Sequence, residues 1–432
     1  MRQLTAFEHG WLEVGEDREL ASHEAEALAA AESVLPPGCL QWGHRRVKFT
    51  QFCGVVQVDG LQMEVLPKLT PYQTEAQQRD TLLTMLACAG DLEAVDTLGA
   101  GLATSRTTLL DLFIRHFAHL LERQLQQGLL RDYRDIDDTL DQVRGRIDLV
   151  RQQRENLFKP QRLACRYSEL VADIPVNRLL HSALRLVISL ATSPLLAQQL
   201  HALRMRFGEV GTLAPHERGP NAEQLNRMQS RYAPLVALAH LFLDGQFLDA
   251  RSGRQQAFSL LFDMNRLFER YTASRLRPLA RRHGLKLMEQ GPRRHLGHEE
   301  SGRGRLLMRP DISLLDAPRR PVVILDTKWK RIEGPDALAA LSAADLYQMA
   351  AYASAYDCGS VVLLYPEQAH LRAGQRHAMT LAGSGARLTL AGIPLDGTAI
   401  GSELMAIDTI ATFKNDDQWQ RLSFRSGPSS RI

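Results

Sequence analysis

Three charged residues in the last third of the chain could share one site. Asp326 and Lys328 come directly after the apolar run 322–325, and Asp311 follows Pro310 with fourteen residues between the two aspartates. Residues two apart in a strand face the same side of a sheet, so we expect Asp326 and Lys328 to project together. An antiparallel hairpin through the intervening residues would bring Asp311 beside Asp326.

Two carboxylates held close together repel each other unless a cation lies between them. Mg²⁺ is a suitable cation, because it binds one or two protein carboxylates and keeps several waters. We therefore predict that Asp311 and Asp326 bind Mg²⁺, with Mn²⁺ as an alternative ion and the backbone carbonyl of Thr327 as a third ligand. Such an ion can activate a water and stabilise charge on a phosphodiester. Lys328 could orient or deprotonate that water, or contact the phosphate.

The rarity of lysine makes Lys328 an informative residue. Of 52 basic residues only seven are lysines, so arginine supplies most of the positive charge. An acidic residue two positions before a lysine occurs once in the chain, at Asp326. The structural alternative is an exposed Asp–Lys pair at a strand end.

Three further residues are candidates for a supporting role. Gln348 and Tyr352 are four apart in a predicted helix and share one of its faces, from which they could contact DNA or a metal-bound water. Glu269 lies on the predicted helix before the hairpin and could reach the metal. The alternatives are a polar helix stripe for the first two residues and a surface position for Glu269.

Basic residues flank the hairpin on both sides. We predict that they contact DNA phosphates, which give affinity without sequence information. The alternative is a solvated basic loop. The predicted DNA-binding residues are Arg293, Arg294, Arg303, Arg305, Arg309, Lys330 and Arg331.

The elements that would position these residues fall into three regions. Residues 1–103 are predicted to be mixed α/β, with a hairpin that turns at Asp59-Gly60. Residues 104–250 are predicted to be helical, because apolar residues recur at three- and four-residue spacing. Residues 251–432 form the third region, which contains the candidate site.

The third region is predicted to contain a helix, three strands, a second helix and a further strand, in this order. The first helix is predicted to begin at Phe258, residues 291–304 are predicted to be a loop, and the second helix is predicted over 336–357. This order predicts helices packed on a small mixed sheet. The chain as a whole is therefore predicted to be a multidomain α/β (α+β) protein.

The overall composition restricts the classes of protein and of binding site that this chain can represent. The 432 residues allow two or three domains, and 44% hydrophobic with 23% charged residues is typical of a globular protein. A net charge of +3 indicates that any nucleic-acid site is a local patch. Five scattered cysteines without a CxxC pair or zinc spacing indicate reduced thiols.

Signals for export, membrane insertion and nucleotide binding are not found. The N-terminal residues lack the apolar core of a signal peptide, and no apolar window reaches the length of about 18 residues that a membrane span needs. A cytoplasmic protein without a membrane partner is the expectation. No GxxxxGK[ST] phosphate loop is present, so this chain is expected to bind no nucleotide itself.

The pattern Pro310-Asp311, Asp326-Thr327-Lys328 and Gln348 to Tyr352 resembles the PD-(D/E)xK nuclease superfamily. Within it the chain resembles the McrC family. The segments that carry this resemblance cover most of the chain and are GVVQVDGLQMEVLPKL, VRGRIDL, IPVNRLLHSAL, FSLLFDMNRLFERY, RPDI, ILDTKWK and DLYQMAAYA.

The resemblance implies a division of labour. McrC-like proteins are nuclease subunits of 5-methylcytosine-specific restriction systems, and their partner McrB is a AAA+ GTPase that recognises modified DNA. The N-terminal part of the McrC-like chain docks into the partner's ring and stimulates its GTPase. For this chain the resemblance implies methylated or otherwise modified DNA as substrate, Asp311, Asp326 and Lys328 as catalytic residues, and 1–103 as a docking region. Residues 1 to about 250 are expected to suffice for stimulation.

Two other functions stay open at this point. The chain could be a non-catalytic adaptor that regulates a partner NTPase, although an intact Asp-Asp-Lys set argues against this. It could also be a stand-alone PD-(D/E)xK nuclease acting in repair, although residues 1–250 favour a docking role. The segment after about Asp396 matches no pattern.

Overall fold

A computed structural model describes residues 1–68, 74–90, 107–159, 161–214, 216–248, 255–317, 320–332, 336–368, 370–372 and 377–397. The chain forms two compact units, one made of 1–105 and 261–432 and the other of 106–260. The first and third regions of the sequence therefore belong to one unit, while the function of each region stays a prediction. In the described ranges no helix is long and apolar enough to cross a membrane.

The fold is mixed α/β, as predicted. Within the described ranges the α-helices are α1 (Ser22–Ala31), α2 (Glu75–Cys88), α3 (Leu109–Leu125), α4 (Leu149–Glu155), α5 (Pro175–Leu190), α6 (Pro194–Met205), α7 (Ala233–Asp244), α8 (Met264–Arg282) and α9 (Ala343–Tyr356). The strands are β1 (Arg2–Phe7), β2 (Trp11–Glu13), β3 (Leu40–Gly43), β4 (Arg46–Phe49), β5 (Phe52–Val58), β6 (Leu61–Leu66), β7 (Asp132–Leu140), β8 (Arg146–Ile147), β9 (Leu163–Val171), β10 (Gln246–Leu248), β11 (Gln255–Asp263), β12 (Lys286–Glu289), β13 (Arg294–His298), β14 (Gly304–Met308), β15 (Ile312–Ala317), β16 (Arg320–Thr327), β17 (Ser360–Pro366), β18 (His377–Thr380) and β19 (Arg387–Ile393).

The first unit contains the hairpin predicted at Asp59-Gly60. β5 and β6 pair antiparallel up to Val58 and Leu61, and φ is +35° at Asp59 and +82° at Gly60. Positive φ at both central residues is the geometry of a type I′ turn, which Asp-Gly favours. β1 pairs with β6 in parallel, so β6 lies between β1 and β5.

The C-terminal part of the same unit is a six-stranded sheet in the order β12-β15-β16-β17-β19-β18. β12, β15 and β16 are antiparallel neighbours, whereas β16, β17 and β19 run parallel. α9 makes the crossover from β16 to β17 and packs Met349 and Ala353 into the same core as Ile324 and Val361. The order along the chain is α8, β12, β13, β14, β15, β16, α9 and β17, so two strands more than predicted lie between the helices.

Two helix starts in the third region differ from the prediction. The segment from Phe258 is a strand, because β11 runs to Asp263, whose carboxylate then caps α8 by accepting from two backbone N–H groups of its first turn. α9 begins at Ala343 rather than near 336, because Ser342 caps it. A capping side chain satisfies the first N–H groups of a helix and so marks its start, which apolar periodicity does not reveal.

The loop predicted over 291–304 is wrong for 294–298 and for 304, which are strand residues. β13 and β14 pair antiparallel as a two-stranded sheet that is separate from the six-stranded one. The β13 sequence RHLGH lacks the alternation of apolar and polar residues that predicts a strand. β14 ends at Met308 and β15 begins at Ile312, so Asp311 lies just before β15 rather than within a strand of the predicted hairpin. Pro318-Arg319, in the predicted turn between β15 and β16, lies outside the described residues.

The second unit contains a sheet that the sequence pattern did not predict. α3, α5, α6 and α7 lie in the region predicted to be helical, but β7, β8 and β9 form an antiparallel sheet there, in the order β7-β9-β8. β7 has the sequence DYRDIDDTL and is mostly exposed. It therefore lacks the alternation of apolar and polar residues on which a strand prediction depends. The prediction of a helical middle region is wrong for much of 132–171.

Candidate active site

The end of β16 carries two of the predicted residues. The apolar run 323–325 is fully buried in the centre of the sheet, between β15 and β17. Asp326 follows with 1% of its surface exposed. The backbone N–H of Lys328 donates to the carbonyl of Leu364 at 2.8 Å, which holds the chain beside β17 just past the strand end. Strand packing therefore fixes the positions of the Asp326 carboxylate and the Lys328 ammonium.

Asp311 lies beside the same strand end. Its neighbour Ile312 pairs with Leu325 across β15 and β16. Its Oδ2 accepts hydrogen bonds from the backbone N–H of Thr327 at 2.8 Å and from the Thr327 hydroxyl at 2.9 Å. The antiparallel pairing thus places Asp311 at the end of β16, where Asp326 lies.

Lys328 is held from two elements. Its Nζ lies 2.5 Å from Asp326 Oδ2 on the strand. From α9, Gln348 Oε1 accepts a hydrogen bond from Nζ at 2.9 Å, and Asp345 Oδ1 lies 3.9 Å away. An ammonium with partners on both sides has few positions available, so Lys328 is pre-positioned beside Asp326.

Gln348 and Tyr352 face this site from α9. Gln348 Nε2 donates to Asp326 Oδ1 at 3.0 Å and to the Tyr352 hydroxyl at 3.1 Å. The Tyr352 hydroxyl donates to the carbonyl of Arg309 at 3.4 Å. Gln348 therefore uses both ends of its amide, binding Lys328 through oxygen and Asp326 through nitrogen.

Buried negative charge dominates the electrostatics of the site. Burial, reinforced by the charge of Asp311 and opposed by Lys328, raises the pKa of Asp326 to about 6. Burial also raises the pKa of Glu269 to about 7, although a hydrogen bond from Gln290 opposes the shift and the charge of Asp311 adds to it. Gln290 donates from its side chain to Glu269 and from its backbone N–H to the carbonyl of Asp311 at 2.8 Å, so Glu269 lies at the margin of the same site.

The oxygen donors of the site fit Mg²⁺. Asp326 Oδ2 is buried, and Lys328 Nζ contacts it as an ion pair without hydrogen-bond geometry, so this oxygen retains capacity for a ligand. The described residues contain no group of three or more His, Cys, Asp or Glu side chains arranged to hold a metal. Mg²⁺ does not need such a group, because it uses one or two carboxylates and keeps its waters. The carbonyl of Thr327 as a further ligand stays a prediction.

The predicted DNA-binding residues are all exposed, but some of them have partners within the chain. Arg294 donates to a backbone carbonyl of α9 at 2.7 Å. Arg305 forms an ion pair with Glu299, and Lys330 forms one with Asp345. DNA contact stays a prediction for the whole set.

Asp345 belongs to the site although the sequence analysis did not select it. Its carboxylate pairs with Lys330 and lies near Lys328. Burial raises the pKa of Asp345, but hydrogen bonds from Lys330 and Ser342 outweigh burial and hold that pKa below its usual value. A serine three residues before an acid marks a helix N-terminus, and this signal could have been read from the sequence.

The N-terminal strand reaches the site through a buried hydrogen bond. Trp329, the residue after Lys328, donates from Nε1 to Glu8 Oε2 at 2.9 Å and to Oε1 at 3.1 Å. Glu8, just after β1, also accepts from the backbone N–H of Lys68 at 3.0 Å. No local pattern could have predicted this contact, because its partners are 321 positions apart.

Glu8 is expected to lower the stability of the first unit as the pH rises. Burial raises the pKa of Glu8 from 4.5 to about 7, even though hydrogen bonds from Trp329 and Lys68 oppose the shift. The folded chain therefore favours the neutral acid. This contribution to stability is complete below pH 4.5 and is lost as the pH rises through about 7. Glu8→Gln stays neutral and should remove the dependence.

Urea unfolding of both chains at about pH 5 and about pH 8 measures this difference. We compare the free energy of unfolding of Glu8→Gln with that of the unchanged chain. We expect the difference, variant minus unchanged chain, to be larger at pH 8 than at pH 5 by roughly 2–3 kcal/mol. Glu26→Gln, a change at an exposed glutamate of α1, is the matched control and should show no such gain. The same pH dependence in Glu8→Gln and the unchanged chain would contradict the prediction.

An oxygen-rich site with a lysine, at the end of a central strand of a mixed sheet, defines a candidate metal-dependent hydrolase site. The family model described as McrBC 5-methylcytosine restriction system component matches residues 47–366. The chain therefore belongs to the McrBC family.

Two solved structures resemble this chain. One is a refined half-complex from a tetradecameric assembly of Thermococcus gammatolerans McrB AAA+ hexamers with bound McrC, with 17% identity, a TM-score of 0.71 and coverage of 95% of this chain and 100% of that chain. The other is a cryo-EM structure of the Thermococcus gammatolerans McrBC complex, with 21% identity, a TM-score of 0.51 and coverage of 67% and 90%. At these identities the likeness shows a shared fold. No curated protein matches the chain.

Proposed function

We propose that this chain is the McrC-like endonuclease subunit of a modification-dependent restriction system and hydrolyses DNA phosphodiesters with Mg²⁺. The observation that carries the proposal is the cluster at the end of β16, where Asp311, Asp326 and Lys328 are held together by strand pairing, hydrogen bonds and an ion pair. Membership of the McrBC family supports it, because a 5-methylcytosine restriction system acts on DNA.

Each residue of the cluster has a role that follows from its contacts. Asp311 and Asp326 would hold the ion, with the carbonyl of Thr327 beside them. When bound, Mg²⁺ supplies a Lewis acid that lowers the pKa of a water and neutralises charge on the phosphodiester. Lys328 would orient the attacking water or take its proton, for which its fixed position beside Asp326 is suited.

Gln348 and Tyr352 are proposed as positioning residues. Gln348 bridges Lys328 and Asp326, so it holds the ammonium and the carboxylate in fixed positions relative to each other. Tyr352 holds the Gln348 amide in the orientation that this bridge needs. Glu269 would add a further carboxylate at the margin of the site.

The proposed partner is a AAA+ GTPase. McrB AAA+ hexamers with bound McrC are present in the Thermococcus gammatolerans assembly whose chain shares the fold of 95% of this one. A shared fold over nearly the whole chain supports a similar assembly here. A non-catalytic adaptor would keep this partner but would not need the cluster at β16, so the two functions can be separated by experiment.

The full chain carrying Asp326→Ala is expected to stimulate GTP hydrolysis by the cognate AAA+ protein as strongly as the unchanged chain does, because residue 326 is buried in the nuclease site. Alone, neither chain is expected to hydrolyse GTP or ATP, since the sequence has no phosphate-binding Gly-Lys loop. Phosphate release measures both reactions. Failure of the unchanged chain to stimulate would reject the proposed partnership.

This test needs the full chain. The sequence analysis expected residues 1 to about 250 to suffice for stimulation. In the structure, 1–105 and 261–432 form one compact unit, and the buried Glu8–Trp329 hydrogen bond joins their two parts. A fragment that ends at residue 250 would expose this core, so its failure to stimulate would not bear on docking.

A further inference from the structure

A β-hairpin arm lies next to the candidate active site in the chain. We define the arm as residues 293–309, which contain β13 and β14. All five residues of β13 are exposed, and in β14 only Met308 is buried. The arm ends two residues before Asp311, so it leads directly into the site.

The arm is positively charged. It contains the arginines at 293, 294, 303, 305 and 309 and two acids, Glu299 and Glu300. With neutral histidines its net charge is +3, which equals that of the whole chain. Positive charge concentrated on one exposed element attracts the phosphates of nucleic acid.

Three leucines of the arm face water. Leu296, Leu306 and Leu307 are 49%, 73% and 55% exposed. Apolar side chains clustered on one exposed element mark an interaction surface, and a two-stranded hairpin has no core of its own to gain from them. Leu306 also has a φ of +52°, which is uncommon for a bulky residue and is typical of binding sites when it occurs.

The base of the arm is tied to α9. The Tyr356 hydroxyl donates to the carbonyl of Pro292 at 2.6 Å and to that of Met308 at 3.1 Å. Arg294 donates to a carbonyl near the end of α9, and its guanidinium lies 5.0 Å from the centre of the Tyr356 ring. α9 also carries Gln348, so one helix holds both the arm and the candidate catalytic lysine.

We propose that the arm enters a groove of the DNA duplex, with its arginines on the phosphates and with Leu306 and Leu296, which lie at opposing positions of the two strands, in apolar contact inside the groove. The inference rests on the proposed nuclease function and names the element that presents DNA to it. A two-stranded β-ribbon fits the major groove of B-DNA, which is about 12 Å wide. Arginine alone would explain affinity for phosphate but not the exposed leucines.

Binding of a fluorescent DNA duplex by the full chain, in metal-free buffer across a salt series, tests the proposal. We expect Leu306→Asn to weaken binding about tenfold without changing the slope of log affinity against log salt, because an apolar contact releases no counterions. Asparagine tolerates the positive φ at 306. Arg303→Ala is expected to lower that slope by about 0.9, the value for one phosphate contact.

Two further variants serve as a control and as a replacement in this test. Leu195→Asn is the matched control, because Leu195 on α6 is also 73% exposed, and it should bind DNA like the unchanged chain. Leu296→Asn replaces Leu306→Asn if the latter lowers the thermal unfolding midpoint. Unchanged DNA affinity in the folded leucine variants would overturn the proposal. Loss of stimulation of the AAA+ GTPase with unchanged DNA affinity would instead make the arm a protein-docking surface, which also overturns it.

The arm and the nuclease function can fail separately. Cleavage by the unchanged chain together with leucine variants that bind DNA normally would reject the arm alone. DNA affinity that depends on Leu306, in a chain that cleaves nothing in Mg²⁺ or Mn²⁺ with its partner present, would support the arm and reject the nuclease.

Discussion

Asp326→Ala is expected to abolish DNA cleavage and to leave the fold intact. Removing a member of a catalytic set costs on the order of 10⁴-fold in rate, and the buried carboxylate of Asp326 is the proposed metal ligand at the centre of the cluster. The fold should survive, because the Asp326 carboxylate is buried, and burial together with the charge of Asp311 raises its pKa to about 6 and makes its charge unfavourable in the absence of metal. Removing that charge relieves the repulsion.

Single-turnover cleavage and thermal unfolding on the same preparations measure both halves of this prediction. Asp316→Ala is a suitable control, because Asp316 is an exposed aspartate on β15 in the same sheet. It should cleave like the unchanged chain. Undiminished cleavage by folded Asp326→Ala protein would remove Asp326 from the site and favour the adaptor function.

Lys328→Arg is expected to slow cleavage by roughly 10²-fold or more, the usual scale for losing a positioned proton-transfer group. Lysine is compact and can shift its pKa, whereas arginine is planar, larger and permanently charged. Nζ lies 2.5 Å from Asp326 and 2.9 Å from Gln348, so a guanidinium at this position would have to displace one of them. DNA affinity and its salt dependence should barely change, because the charge is kept.

Lys330→Arg is the matched control for this prediction. Lys330 is two residues further along, is more exposed and pairs with Asp345, a contact that arginine can also make. We expect near-normal cleavage by Lys330→Arg. Near-normal cleavage by Lys328→Arg as well would make Lys328 a generic phosphate contact and exclude it from catalysis.

The positions of the central residues could be predicted because their relations are local. Asp326 and Lys328 converge through strand periodicity, and Gln348 and Tyr352 share a face through helix periodicity. The ion pair between Asp326 and Lys328 and the hydrogen bond between Gln348 and Tyr352 agree with both expectations. Asp311 needed one further assumption, the antiparallel pairing of β15 with β16, which the structure also shows.

The contact between Glu8 and Trp329 could not be predicted, because it depends on tertiary packing of distant segments. Glu8 lies outside every segment that carries the resemblance, and a buried glutamate is rare unless it has a partner. The pairing of 1–105 with 261–432 in one unit escaped prediction for the same reason.

The strands that were missed share a physical cause. β7 and β13 are exposed on most of their residues, so burial does not impose an alternating pattern on their sequences. Periodicity detects elements that bury one face. Exposed hairpins are held by strand pairing and by contacts at their base, and neither produces a regular pattern of apolar and polar residues in the sequence.

DNA cleavage measured against metal concentration tests the central claim most directly. The full chain, its AAA+ partner and GTP would be mixed with DNA that contains 5-methylcytosine, in EDTA and at rising Mg²⁺ or Mn²⁺. We predict no cleavage in EDTA, cleavage that rises with either ion, and none at any concentration for Asp311→Ala or Asp326→Ala. Cleavage in EDTA, or metal-dependent cleavage at an unchanged rate by the two aspartate variants, would contradict the assignment of the nuclease to this site.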